Sequence, residues 1–105
     1  MNTRPIPTPP QALDEHTAAH VAELFVAFSD TSRVRLLSVL ARGERHVGAL
    51  AEAVGLTESA VSHHLRALRQ LRLVETRKSG RRVFYSLDVH AIALYQYGLN
   101  HIRHT

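Results

Sequence analysis

Apolar and polar positions alternate along the chain in two distinct rhythms. From Leu13 to Phe28 the residues Leu13, Val21, Leu24, Phe25 and Phe28 follow a helical period, with Asp14 and Glu15 at the end where negative charge is favoured. Asp30 or Thr31 then caps a second helix, whose Val34, Leu36, Leu37, Val39 and Leu40 face a core until Gly43 stops it. A short helix follows over about 47–54, carrying Leu50, Ala51 and Val54, and Gly55-Leu56 breaks it. Thr57 caps a fourth helix from Glu58 to about Leu71, with Val61, Leu65, Leu68 and Leu71 as its apolar stripe. The period then changes from about 3.6 to about 2. Leu73, Val74 and Thr76 read as a strand, Lys78-Ser79-Gly80-Arg81 as a turn, and Val83 to Leu87 as the returning strand. Asp88 to about Arg103 is helical again, with Ile92, Leu94, Tyr95, Leu99 and Ile102 as apolar surface. Two helices joined by a Gly-containing turn and followed by a hairpin predict a winged helix-turn-helix, mainly α with a small β-hairpin.

All four prolines fall within the first ten residues, so residues 1–12 read as a flexible proline-rich arm and 13–105 as the one folded domain. A domain of this size buries a limited fraction of its surface, and a second copy is the expected source of extra core. Leu24, Phe28, Leu94, Tyr95, Gly98 and Ile102, on the first and last helices, are the expected homodimer interface, Gly98 because it lets two backbones approach closely. No run reaches the ~18 apolar residues of a membrane span, and no segment resembles a signal peptide. The absence of cysteine excludes a disulfide scaffold, a thiolate metal site and a cysteine nucleophile, and fits a cytoplasmic location.

Charge is concentrated. Between Arg66 and Arg82 lie Arg66, Arg69, Arg72, Arg77, Lys78, Arg81 and Arg82 against the single acid Glu75, while the remainder holds six basic and eight acidic groups. Positive charge gathered this way is commonly aimed at a polyanion, although a basic face can also be merely solvated. The element order favours double-stranded DNA. A helix entering the major groove needs short polar side chains on its first turns, and Thr57, Ser59, Ser62 and His63 stand there, with Arg66 a turn further on. Thr57 and the helix N-terminus suit a phosphate. Lys78, Arg81 and Arg82 on the hairpin can reach the backbone or minor groove. No aromatic residues interleave these basic ones, which argues against single-stranded nucleic acid.

The last helix carries a second chemistry: Asp88-x-His90 at its start and His101-x-x-His104 at its end. His101 and His104 project from one face, and Asp88, at the cap, can converge with His90. The two pairs are separated by ~16 Å of helix, whereas zinc ligands lie within ~2 Å of the ion, so one chain cannot close the site. Two antiparallel copies of the helix can. Each of two symmetric sites per dimer would then have three imidazoles and one carboxylate, a tetrahedral set suited to zinc, with cobalt or nickel as the alternatives. The plainer reading of the same four residues is solvation near an exposed terminus.

The stretches "FSDTSRVRLLSVLARGE", "ALAEAVGLTESAVSHHLRALRQLRLVETRKSGRRVFYSL" and "DVHAIALYQYGLNHIRH" together resemble the ArsR/SmtB family of bacterial metal-sensing repressors, and its zinc sensors in particular, over about four fifths of the chain. The resemblance implies that Asp88 and His90 of one subunit bind zinc with His101 and His104 of the other. It also implies that the metal-free dimer holds an inverted-repeat operator and that zinc releases it. A further implication is that metal-bound His101 donates its second ring N–H to the backbone carbonyl of Arg72, tying metal occupancy to the recognition helix. The chain departs from relatives that carry a cysteine and an aspartate flanking the third helix, where His46 and Ala49 stand. His16 and His20, one turn apart, could join His46 in an accessory site but are more simply solvated.

Other readings remain distinguishable. A nickel or cobalt sensor of the same family would need further ligands. A winged-helix regulator without a metal would keep DNA binding and its inducer response after His101 is substituted. A metal-dependent hydrolase is disfavoured because four protein ligands leave no position for water and no convergent acid or base is visible, so neither an enzyme nor a small-molecule substrate is expected.

Overall fold

Among the described residues, each of the five helices begins on a side chain that accepts a backbone N–H of the first turn. In the computed structural model, which describes residues 10–104, α1 (Glu15–Ala27) starts at Asp14, α2 (Thr31–Leu40) at Asp30 and α3 (Val47–Val54) at His46. After α3, α4 (Glu58–Gln70) starts at Thr57 and α5 (Val89–Arg103) at Asp88. Such caps satisfy amides that have no partner within the helix. The strands are β1 (Arg45–His46), β2 (Val74–Ser79) and β3 (Arg82–Leu87). Most of the arm expected over 1–12 lies outside the described residues.

The core is built by α2, α3 and α4. Leu36, Leu37, Leu50, Val61, Leu65 and Leu68 are fully buried, and no polar or charged side chain among the described residues is buried with them. Burying a Leu or Val side chain contributes about 1.5–3 kcal/mol, so these six anchor the helix-turn-helix. The turn between α3 and α4 opens on Gly55, at φ 71°, where its N–H reaches the Ala51 carbonyl. Helices α1 and α5 behave differently. Each contributes one buried residue, Ala27 or Ala91. Val21, Phe25, Val26, Val89, Tyr97 and Ile102 remain exposed on them. An open apolar groove of about 570 Å³ runs between α1, α2 and α5, lined by Phe25, Phe28, Leu94, Tyr95, Gly98 and Ile102 among others.

The winged helix-turn-helix expected from the pattern is thus the architecture found, with three local corrections. First, the hairpin turn is Gly80-Arg81, flanked by the pair Ser79↔Arg82, one residue later than expected. Gly80 supplies the positive φ (61°) that a tight hairpin turn with Gly in first place requires. Second, the sheet has three antiparallel strands in the order β1-β3-β2, because Arg45 and His46 pair with Tyr85 and Phe84. A two-residue strand has no periodicity to read. Third, α2 ends at Leu40, before Gly43.

Candidate functional site

Thr57 sits at the N-terminus of α4 with Oγ1 accepting the Ala60 N–H at 3.1 Å, which leaves its hydroxyl hydrogen for an outside acceptor. Ser59, Ser62, His63 and Arg66 all lie exposed on the side of α4 away from Val61, Leu65 and Leu68. Ser62, Arg66 and Arg69 border a cleft whose far wall is Tyr85 of the wing. Nothing in the local pattern gives Tyr85 a role; the β3 register brings it beside α4.

The wing divides its cations between two faces. Cross-strand partners share a face and neighbours alternate. Lys78, paired with Val83, therefore lies on the face of Thr76 and Tyr85. Arg82, paired with Ser79, lies on the other, with Arg77 and Phe84. Arg81 projects from the turn. Arg82 is not loose: its Nη1 lies 3.2 Å from Nε2 of His46. His46 Nδ1 also accepts the Ala49 N–H at 3.3 Å. A neutral imidazole accepts at one nitrogen only, so the α3 cap and the wing contact compete for the ring. The wing is further fastened by Arg77, whose guanidinium grips Glu44 and lies 5.1 Å over the Phe84 ring.

At the start of α5, Asp88 Oδ2 accepts the backbone N–H of His90 at 2.9 Å and lies 3.1 Å from its Nδ1. The His90 backbone N–H, with the ring contributing less, holds the Asp88 carboxyl below the usual carboxylate range, so it is ionised at neutral pH. The His90 ring is exposed. At the other end, His101 and His104 share a cleft with Tyr97 and Asn100. His104 Nδ1 donates to the Asn100 carbonyl at 2.8 Å, which leaves the Nε2 lone pair facing outward. Among the described residues, no three His, Asp or Glu side chains converge within one chain. The four α5 residues thus form two half-sites at opposite ends of one exposed helix. Their donor set, one carboxylate and three imidazoles with an outward lone pair on His104, fits a borderline-soft divalent ion such as zinc. Arg72, just past α4, has φ 60° and is exposed; within the single chain no hydrogen bond among the described residues joins it to His101. His16 and His20 lie side by side on α1, their rings tilted at 58° with centroids 4.6 Å apart.

Comparison with known proteins adds the family. Residues 30–76 match the family described as bacterial regulatory protein, arsR family. A transcriptional repressor SmtB homolog of Synechocystis is 47% identical over 95 residues, covering 90% of this chain and 72% of that protein. The fold is similar to the AntR antimony-specific transcriptional repressor, with a TM-score of 0.79 at 29% identity, covering 99% of this chain and 96% of that one. It is also similar to a homodimeric winged helix-turn-helix DNA-binding domain from Mycobacterium bovis, with a TM-score of 0.76 at 31% identity over 89% of this chain and 94% of that one. With this fold, these caps and this relative, the chain belongs to the ArsR family of bacterial transcription regulators.

Proposed function

We propose that this protein is a metal-responsive transcriptional repressor that binds an inverted-repeat operator as a homodimer and releases it when zinc fills two sites shared between the α5 helices. The observation that carries the reading is the pair of half-sites on α5, Asp88/His90 and His101/His104, on a helix whose one buried residue is Ala91. An antiparallel mate would bring the opposite ends together, and the apolar groove along α1 and α5 supplies the surface for it. The homodimeric M. bovis neighbour and the repressor relatives support the assembly and the output. The lack of cysteine leaves no thiolate set for a soft metalloid, which favours an imidazole-binding metal.

DNA contact falls to Thr57, Ser59, Ser62, His63 and Arg66 on α4 and to Lys78, Arg81 and Arg82 on the wing. Asp88 and His90 of one chain and His101 and His104 of its mate would hold the zinc, which would supply a Lewis-acidic positive centre between them. The chain's own residues do the rest: Asp88 stays ionised, His104 is held by Asn100, and His101 turns its remaining N–H toward the Arg72 carbonyl. Release requires that the metal bind the DNA-poor conformation more tightly, by the coupling free energy between the two ligands. The test is a zinc titration of the dimer on a fluorescent inverted-repeat duplex, wild type beside His101→Ala. Zinc should release the wild type and leave the variant bound. If both stay bound at saturating zinc, α5 is not the switch.

A further inference from the structure

The recognition helix α4 rests on the fold through Val61, Leu65 and Leu68, whose burial sets which side faces inward, while directional side-chain bonds are what can refine its orientation. Among the described residues, one side-chain hydrogen bond ties α4 to another element: Arg33 Nε donates to His64 Nδ1 at 3.3 Å, in a half-buried setting. The same guanidinium donates through Nη1 to the Val26 carbonyl, 3.4 Å away in the last turn of α1. The Arg33 backbone N–H is held by Asp30 at 3.0 Å. Arg33 therefore stands where the end of α1, the start of α2 and the middle of α4 meet. His64 follows directly on Ser62 and His63, and neither the DNA face nor the metal half-sites use it.

This bond needs a lone pair on His64 Nδ1, which a neutral ring has there only in its Nε2–H tautomer. A proton on Nδ1 turns the acceptor into a donor and sets an imidazolium against a guanidinium. The groups facing the ring are Arg33 and Asp30 from α2 and the His63 ring from α4, its centroid 6.0 Å away. Asp30 is ionised, because the Arg33 backbone N–H holds its carboxyl below the usual range and the nearby His64 adds to the effect.

We infer that His64 is a positioning residue for DNA binding: neutral, it accepts from Arg33 and helps hold the orientation of α4, and protonated, it loses that bond, lets the base-reading face shift and weakens operator binding. This rests on the operator-binding reading above. Its sign distinguishes it from simple charge, since added positive charge on α4 would strengthen binding to DNA at low pH.

The experiment uses full-length, metal-free protein in chelator and a fluorescent duplex selected from a random library by the wild type at about pH 8. Anisotropy is followed down to about pH 5.5, across the titration of an imidazole. Wild-type affinity should fall about tenfold over that range, equivalent to roughly 1.4 kcal/mol. His64→Asn keeps an acceptor where Nδ1 stands and cannot be protonated, so its affinity should hold across the range. His64→Leu lacks the acceptor and should be weak already at the upper pH. Arg33→Lys, which keeps the charge but cannot span His64 and Val26, should also bind weakly there and show a shallow profile. A flat wild-type profile overturns the inference, as does a His64→Asn profile that follows the wild type. A salt slope lower by about one in His64→Asn also overturns it, by making His64 a direct phosphate contact. If the wild type selects no duplex at all, the DNA-binding reading itself fails.

Discussion

Glu44 and Arg77 meet in a two-pronged ion pair, with Nη2 of Arg77 2.6 Å from Oε1 and Nε 3.1 Å from Oε2. The pair fastens the segment after α2 to the outer wing strand. Hydrogen bonding to Glu44 raises the Arg77 pKa further and lowers that of Glu44. Arg77, although exposed, is thus engaged by a partner within the chain.

That commitment predicts a difference between neighbours on β2. Arg77→Ala should leave the salt dependence of operator binding unchanged, whereas Lys78→Ala should reduce the slope of log affinity against log salt by about one. Anisotropy titrations at several salt concentrations measure both, and equal slopes for the two variants would contradict the assignment.

A site shared between subunits predicts complementation. His90→Ala and His101→Ala homodimers should each lose tight zinc binding, because every site is damaged. In the mixed heterodimer both lesions fall in one site and the other is intact, so one tight zinc per dimer should return. Competition against a chelating dye counts it; no recovery would mean that the ligands are not shared across the dimer.

Arg72 closes α4 in a left-handed conformation that normally belongs to glycine. Its N–H reaches the Arg69 carbonyl and the Leu73 N–H reaches the Leu68 carbonyl, the paired bonds of a Schellman end. A side chain at positive φ is strained, so Arg72→Gly should raise the unfolding free energy by about 1 kcal/mol. Urea unfolding at fixed protein concentration would show a higher midpoint with an unchanged slope. A lower midpoint would mean that the arginine side chain contributes more than its backbone costs.

Acid should loosen the caps. The carboxyls of Asp14 and Asp30 are held below their usual range, first by the backbone N–H groups of Thr17 and Arg33. Their folded pKa values lie below the unfolded ~3.9, so the stabilisation is complete above that pH and is lost as pH falls through the folded value. Thermal midpoints measured from about pH 6 to about pH 3 should therefore drop at the acid end. Asp30→Asn keeps a capping oxygen without its titration and should flatten part of that fall. An unchanged acid limb would remove Asp30 from the account.

Local chemistry made much of this protein legible in its sequence. Asp14, Asp30, Thr57 and Asp88 announce helix starts because their short oxygens reach the first free amides, and Val61, Leu65 and Leu68 announce the buried face of α4 by spacing alone. The ends of α5 were legible for the same reason, since Asp88, His90, His101 and His104 lie on one element whose rise per residue is fixed. Contacts between elements carry no such signature. Arg45 and His46 became a strand only because β3 offered them an edge, and a two-residue segment has no period. The hairpin turn fell on Gly80-Arg81, because its position is set by the register in which Val74 and Leu87 are both buried. Arg33, Arg77 and Arg82 looked alike as cations, yet the fold gave them His64, Glu44 and His46 as partners across 31 to 36 residues of chain. Helices, wing and the candidate metal-ligand types on α5 could be read along the chain, because each depends on near neighbours. Tertiary structure decided which cations face outward and what helps hold the orientation of the recognition helix, because hydrogen bonds and ion pairs depend on where distant residues come to rest.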